Sequence, residues 1–348
     1  MRPSPKTLLP FLILLLFWFN QSVCCQFRAS DTDTIAGIMF YNVENLFDTR
    51  NDPDKRDDDF TPDGVRRWTY SRMREKFNNI GRVILNAGGW NLPVLIGLCE
   101  VENSWVLNAM LRETGLDNLH YRVIHYESPD LRGIDVALLY RRDRFKVYES
   151  RPIPVDFGPN ERPSRDILYV KGVLDQSDTL HVLVNHWPSR FGGAAVTQWK
   201  RQYAARLTRQ ISDSIRMVNP QALLIVMGDF NEPHKSDLFL KDLEVGLLED
   251  DVWLISPALK IPPDVGTLKH QHAWEIFDQI IISRSFFDGS SPIYMSEPEM
   301  RIISLPFLLE RDEQMGGVKP FRTYVGFRYA GGYSDHLPVW IDLVVTPR

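Results

Sequence analysis

A Gly228-Asp229-Phe230-Asn231 turn, a glutamate standing alone after an apolar run (Glu100) and a late Ser334-Asp335-His336 triplet are the residue types that metal-assisted hydrolysis of a phosphate ester needs. Asn42, His186 and Asp278 complete the set, which is spread over nearly the whole 348-residue chain. Asp229 and Asn231, two positions apart in one turn, can present both side chains to the same side. Chemistry of this kind works only if the fold gathers the scattered groups into one cleft.

Several of them follow an apolar run, which is how the chain can gather them. Asn42 comes after Met39-Phe40-Tyr41, Glu100 after Leu95-Ile96-Gly97-Leu98-Cys99, His186 after Val182-Leu183-Val184-Asn185, and Asp229 after Leu224-Ile225-Val226-Met227-Gly228. Runs that are apolar on both faces are expected as buried central strands. Strand ends can share one rim, and they hold reacting groups more rigidly than loops do. Singly, each residue has an ordinary explanation: an Asp after a strand often forms a turn or caps a helix, and a His among apolar neighbours is usually a core residue. The joint pattern is what points to chemistry.

Strands are expected at 37–42, 94–100, 121–125, 135–140, 167–173, 181–186, 223–229, 279–283 and 339–345. Helices are expected at 73–85, with Phe77, Ile80 and Ile84 inward, at 104–114, ending at Gly115, and along a stripe of Val196, Trp199, Tyr203, Leu207, Ile211 and Ile215 that should face the core. Strands and helices alternate irregularly, which argues for an α/β sandwich with two or more packed sheets. There is no internal repeat and no low-complexity tract, so one domain is the economical count.

Arg2 and Lys6 precede an unbroken apolar run from 8 to 19, followed by polar and small residues, the pattern of a secretory leader. The run is shorter than the roughly 20 residues a spanning helix needs, so a permanent anchor is the weaker reading. The expected division is a leader at 1–25, a short linker at 26–35 and a catalytic domain at 36–348, giving an exported protein, periplasmic or extracellular and monomeric. Lipid on Cys24 or Cys25 is disfavoured, because Gln21 and Ser22 stand where a lipoprotein leader places Leu. Cleavage would take Arg2 and Lys6 from the 40 basic residues, leaving 38 against 45 acidic and a formal charge of −7. A globally acidic protein can grip nucleic acid only through a local basic strip. Cys99 would be the sole remaining thiol, which excludes a disulfide framework; it would point away from Glu100 into the core.

Tyr41-Asn42-Val43-Glu44-Asn45, Cys99-Glu100-Val101-Glu102-Asn103, Asn185-His186-Trp187, Gly228-Asp229-Phe230-Asn231 and Ser334-Asp335-His336 occur in the order found in the endonuclease/exonuclease/phosphatase superfamily, which the chain resembles from about Ile38 to Leu343. That resemblance implies a four-layer α/β sandwich, two central, mainly antiparallel sheets flanked by helices, with the site at one edge. It implies that Glu100 is the principal metal carboxylate, with Asn42 and Asp335 near the same ion, Mg²⁺ or Mn²⁺. Such ions take few protein carboxylates and keep several waters. Asp229 resembles the group that orients or deprotonates the attacking water, and Asn231 the one that hydrogen-bonds the phosphate or that water. His336 with Asp278 resembles the His–Asp dyad. His186 resembles the histidine that stabilises or protonates the leaving oxygen.

The expected activity is hydrolysis of nucleic-acid phosphodiesters, DNA favoured, by an endonuclease without strong sequence choice. Arg190, Arg322 and Arg328, each among aromatic residues, are candidate phosphate-track residues. The alternative is a phosphatase or sphingomyelinase-like phospholipase, for which Phe307-Leu308-Leu309 is the nearest candidate for an exposed apolar hairpin. A binding protein that has lost activity is disfavoured, since every position keeps a competent residue. Asp135 reads as a turn residue, with a supporting role at the site as the lesser reading. The acidic run 52–59 reads as a solvated loop rather than a calcium loop.

Overall fold

The computed structural model describes residues 33–347. The expected leader with Cys24 and Cys25, and most of the expected linker, lie outside the described residues.

The long strands are β1 (Thr34–Leu46), β2 (Pro93–Val101), β3 (Tyr121–His125), β4 (Asp135–Arg141), β5 (Phe145–Ile153), β6 (Ile167–Leu174), β7 (Asp178–His186), β8 (Leu223–Asp229), β9 (Asp278–Ser283) and β10 (Val339–Val345). The long helices are α1 (Tyr70–Asn86), α2 (Ser104–Thr114) and α3 (Ala194–Val218). One sheet runs β10-β1-β2-β4-β3 and the other β5-β6-β7-β8-β9, each extended at an edge by two-residue strands. Among the long strands only β1·β2 and β7·β8 pair in parallel, so both sheets are mainly antiparallel.

The period-two alternation of strands decides which layer each residue joins. Met39, Tyr41 and Val43 pack with Phe77, Ile80 and Leu107 under α1 and α2. Their neighbours Ile38 and Phe40 face Val182, Ile225 and Ile280 between the sheets. Leu183, Leu224 and Ile281 pack beneath Ala204, Ala205 and Ile215 of α3. Three apolar interfaces stacked in this way make a four-layer α/β/β/α sandwich. α2 starts on Asn103, whose side chain accepts from the Val106 amide at 2.9 Å, and ends on left-handed Gly115. Among the described residues no helix is long and apolar enough to cross a membrane.

Two expectations are corrected. β5 has no counterpart in the sequence reading because it is an edge strand, largely exposed and carrying Lys, Glu, Arg and Pro, so apolar content does not mark it. Only part of the α3 stripe faces the core: Ile215 is buried, and Leu207 and Ile211 pack against the core half-buried. The buried face is Arg201, Ala204, Ala205, Thr208, Ser212 and Ile215, while Val196, Trp199 and Tyr203 are exposed. Small residues let the helix approach the sheet closely, and Trp199 and Tyr203 turn outward onto Phe157, ring centroids 5.4 Å away in each case. Arg201 is buried because Glu232, Thr197 and the Ala194 carbonyl take its guanidinium donors.

Candidate active site

Strand register brings three of the candidate groups side by side: His186 at the end of β7 stands opposite Asp229 at the end of β8, which in turn stands opposite Asp278 at the start of β9. β7 and β8 approach so closely that a Cβ at position 228 would lie 2.5 Å from the Asn185 carbonyl, which is why glycine precedes Asp229. After Asp229 the chain turns through Asn231 at φ +51°, a left-handed conformation that Asn tolerates. The Asn231 amide donates to Asp229 Oδ1 at 2.9 Å, and its side-chain nitrogen donates to the Trp187 carbonyl at 3.0 Å.

The other sheet and the last loop close on the same carboxylate. Asn42 Nδ2 donates to Asp229 Oδ2 at 3.0 Å, bridging the sheets. His336 Nδ1 lies 2.6 Å from Asp278 Oδ2, and its Nε2 is 3.9 Å from Asp229 Oδ2, to which His186 Nε2 comes within 3.7 Å. Ser334 anchors the triplet by donating to the Asn42 carbonyl at 2.7 Å and accepting from the His336 amide at 3.1 Å. Cys99 is buried beneath, its sulfur within 4.8 Å of ligand atoms of His186 and Asp229. Burial drives its pKa well up, so it stays a thiol.

Titration behaviour separates the groups. Burial pushes Asp229 up to about 7, against the pull of His336 and reinforced by Asp278. Burial alone would depress His336, but the Asp278 and Asp229 carboxylates overturn it and raise the imidazole well above its usual range. His186 is held well below it, by burial first and then by the Arg165 and Arg132 charges. At neutral pH the pocket therefore pairs one imidazolium with one neutral imidazole.

The remaining acids sit on the rim of the first sheet. Glu44, Asn45 and Glu100 all have positive φ, 52°, 58° and 61°, and the β2·β4 register slips at Glu100. Non-glycine residues there are strained by about 1–3 kcal/mol each. The Asn45 amide donates to Glu100 Oε2 at 3.1 Å, and Arg132 Nη2 donates to Asn45 Oδ1 at 2.9 Å while lying 3.9 Å from Glu100. Arg322 bridges Glu44 at 3.2 Å and Asp335 at 2.8 Å. Buried Lys76 donates to Thr323 Oγ1 and the Tyr333 carbonyl, 2.5 Å each. Burial lowers its pKa to about 8, against the opposing pull of Glu44, Asp335 and Glu100, so both expected ligand carboxylates lie in the field of one ammonium.

The donors fit a hard divalent cation. Glu100 uses Oε2 on a backbone amide and Asp335 uses Oδ2 on Arg322, and each carries a second hard oxygen. Glu44 is raised by burial and then by Asp335, a crowding of carboxylates that a cation relieves. Glu100 and Asp335 belong to no tight group: among the described residues, the sets with three His, Cys, Asp or Glu ligand atoms within 4.8 Å are Cys99/His186/Asp229, Asp229/Asp278/His336 and His125/Glu127/Asp135. Glu100 and Asp335 both act on Lys76 and on Arg322, which places them near the same two cations on the rim.

Of the expected substrate arginines, Arg190 reaches the site, its Nε donating to the Asn231 carbonyl at 3.1 Å, and Arg322 reaches it through Asp335. Arg328 is exposed in the turn of a short hairpin opposite Val325, and no hydrogen bond or ion pair among the described residues ties it to the site. Trp187 is buried against Phe230 and Phe239 rather than available for stacking. Leu308 is buried and Arg82 covers Phe307, so the 307–309 segment is no exposed apolar hairpin. Glu44, Lys76, Arg132 and Arg165 were not singled out from the sequence. Glu44 lies in the Asn42 motif, and Lys76 shares the inward face of α1 with Met73 and Ile80, a charged residue at an apolar position.

Beside Asn45 a groove of about 560 Å³ carries Arg56, Arg66, Arg132, Arg162, Arg165 and Lys200 against only Asp59 and Asp130, with Phe47, Phe60, Phe157 and Phe191 in its walls. Arg66 lies over Phe60, Tyr324 and Phe327 at 4.9, 5.0 and 5.5 Å. An equally large cavity at the opposite end of β7 and β8, with Glu149, Lys171, Asp178 and His181 in its wall, has mixed charge and touches none of the clustered groups.

The model of the Endonuclease/Exonuclease/phosphatase family matches residues 37–345. No curated protein matches the chain in sequence. Solved structures are similar in fold. An endonuclease/exonuclease/phosphatase family protein from Bacteroides thetaiotaomicron superposes with TM-score 0.56 at 14% identity, covering 90% of this chain and 99% of that one. D. rerio TDP2 complexed with single-strand DNA product gives 0.54 at 15%, covering 90% and 100%. The human Nocturnin catalytic domain gives 0.53 at 17%, covering 90% and 95%.

Proposed function

The chain belongs to the endonuclease/exonuclease/phosphatase family, and from that premise we propose that it is an exported nuclease that uses Mg²⁺ or Mn²⁺ to cut nucleic-acid phosphodiester bonds internally, DNA in preference, without strong sequence choice. At the coarser level it is a metal-dependent phosphoric ester hydrolase. The observation that carries the finer reading is the convergence of Asn42, His186, Asn231, Asp278 and His336 on Asp229, beside a basic groove in an acidic chain.

Asp229 is the proton acceptor for the attacking water: Oδ1 accepts from the Asn231 amide and Oδ2 from Asn42 Nδ2, and a carboxylate oxygen that accepts one hydrogen bond keeps a lone pair for the water. Arg190 supplies positive charge for the phosphate and ties down the loop through the Asn231 carbonyl, while Asn231 Oδ1 accepts from the attacking water. His336, an imidazolium held by Asp278, donates from Nε2 to charge developing on the phosphoryl oxygens. His186 is neutral and serves the leaving oxygen as a hydrogen-bond donor rather than as an acid. Asn42, Glu100 and Asp335 would hold the ion, which when bound neutralises phosphoryl charge as a Lewis acid. No covalent intermediate is required.

The groove supports a nucleic-acid substrate because a cation track with an exposed aromatic ring, here Phe191, binds single strands with little sequence preference. Export is supported by the 1–25 pattern. The test offers residues 26–348 plasmid DNA, single strands, RNA, sphingomyelin and inositol phosphates, with Mg²⁺ or chelator. Metal-dependent conversion of supercoiled plasmid to nicked and linear forms is expected. Turnover of only a lipid or sugar phosphate reverses the substrate assignment.

A further inference from the structure

His125 ends β3 and stands opposite Ala137, so Asp135, two residues earlier on β4, lies on the same side of the strand pair. Glu127 follows two residues after His125. One ligand atom from each of the three lies within 4.8 Å of the others. His125 Nε2 and Asp135 Oδ2 are 3.2 Å apart, and both side chains are only 2% exposed. Neither atom makes a hydrogen bond among the described residues. Buried polar atoms without a hydrogen bond are costly, and what sets this pair apart from the others among the described residues is a third ligand group, Glu127, within reach of both.

From this geometry we propose a second divalent-cation site, formed by His125 Nε2, Asp135 Oδ2 and the Glu127 carboxylate, distinct from the Asn42/Glu100/Asp335 seat and selective for Zn²⁺ or Mn²⁺. One imidazole nitrogen with two carboxylates suits a borderline ion, whereas Mg²⁺ and Ca²⁺ prefer oxygen alone. The separation of 3.2 Å matches two donors about 2.1 Å from one ion. The outer partners a metal site needs are present: the Ser128 amide donates to Asp135 Oδ1 at 3.0 Å and fixes that carboxylate. Lys55 is no substitute cation, since its ammonium is spent on the Ser128 and Asp130 carbonyls at 2.9 and 3.1 Å. Glu127 also lines a cavity of about 230 Å³ with Asp48, Asp52 and Glu102 as well as Arg50 and Lys55, which opens the site to ions from solvent.

Such an ion would clamp the 126–134 loop onto β3 and β4. That loop carries Arg132, which reaches Asn45 and Glu100, and Asp130, which pairs with Arg165 at 3.2 Å. The site would therefore brace the arginines on the groove side of the catalytic rim.

The full chain, stripped of metal, is given Zn²⁺ or Mn²⁺ in a large excess of Mg²⁺, desalted, and its metal content measured by elemental analysis. One equivalent is expected to stay with the parent and with Glu100→Gln, and to be lost at least ten-fold in His125→Gln and Glu127→Gln. Glu127 is largely exposed, so its variant tests the site without threatening the fold. No retained metal in the parent, or parent-like retention in folded Glu127→Gln, overturns the proposal. Neither result bears on nuclease activity, which is read separately through Glu100→Gln.

Discussion

The two sheets contribute to the rim in different ways. The second sheet delivers His186, Asp229 and Asp278 as register neighbours on three adjacent strands, all buried. The first delivers Glu44, Asn45 and Glu100 on left-handed bends, with Lys76, Arg132 and Arg322 distributed among the acids. Ladder hydrogen bonds fix the strand-borne set, so pKa values can be pulled apart around it: Asp229 is raised, His186 is lowered, and His336, brought in by the last loop, is raised by the Asp278 and Asp229 carboxylates. Strain and counter-charges fix the second, which suits groups that must accept an ion and its waters. Proton transfer asks for rigidity, whereas cation binding asks for compensated charge.

The comparison breaks first at Asp229. Asp229→Ala should lower kcat by roughly 100- to 10,000-fold with the circular dichroism unchanged, because β8 stays paired on both sides even though the side chain's bonds to Asn231 and Asn42 are lost. A folded variant with near-parent turnover would remove Asp229 from the mechanism. On the other sheet the largest effect should be on stability. Lys76→Met takes the buried ammonium away from Glu44 and Asp335 and leaves the Thr323 hydroxyl and Tyr333 carbonyl without their donor. A loss of about 3–5 kcal/mol is expected, as for a broken buried ion pair, seen as a lower denaturation midpoint in urea. An unchanged midpoint would show that Arg322 alone balances these acids.

A third experiment separates the sets directly. Glu44→Gln removes one of the crowded carboxylates behind the cation seat but touches none of the Asp229 cluster. The Mg²⁺ concentration for half-maximal rate should rise roughly 10- to 100-fold, the range for groups that orient metal ligands, while kcat at saturating Mg²⁺ stays within a few-fold of the parent. A fall in kcat that Mg²⁺ cannot restore would mean the two regions act as one.

The same contrast explains what could be read from the chain. His186, Asp229 and Asp278 were legible because each borders an apolar run whose strand character is plain, and the helices α1 and α2 followed from spacing. β5 was not, since an exposed edge strand carries no apolar signature. The α3 stripe held at Leu207, Ile211 and Ile215 and failed before them, because close packing against the sheet favours Ala, Thr and Ser inward and sends Trp199 and Tyr203 out to Phe157. Glu44 and Lys76 act through burial and mutual charge, which depend on residues 279 and 257 positions away in sequence, so motif order alone could not assign them. Arg328 had the right residue type and neighbours, but the short hairpin that holds it turns into solvent.

The smallest expected effect is the finest test of the rigid set. Activity needs Asp229 ionised, and its carboxyl is pushed up to about 7, so the rate should climb with pH on the acid side and level off above it. His336 pulls that value down and Asp278 pushes it up. Removing the imidazolium in His336→Gln should therefore move the acid limb to higher pH, and removing the carboxylate in Asp278→Asn should move it lower, provided His336 remains charged. Asp278→Asn also removes the leading support for that charge, which works against its own shift, so the displacement in His336→Gln should be the larger. kcat/KM measured from pH 5 to 9 at saturating Mg²⁺ reads both. Acid limbs that coincide in all three proteins would mean that Asp229 is not the group whose ionisation sets the rate, and the proton-handling role would then fall to another member of the cluster.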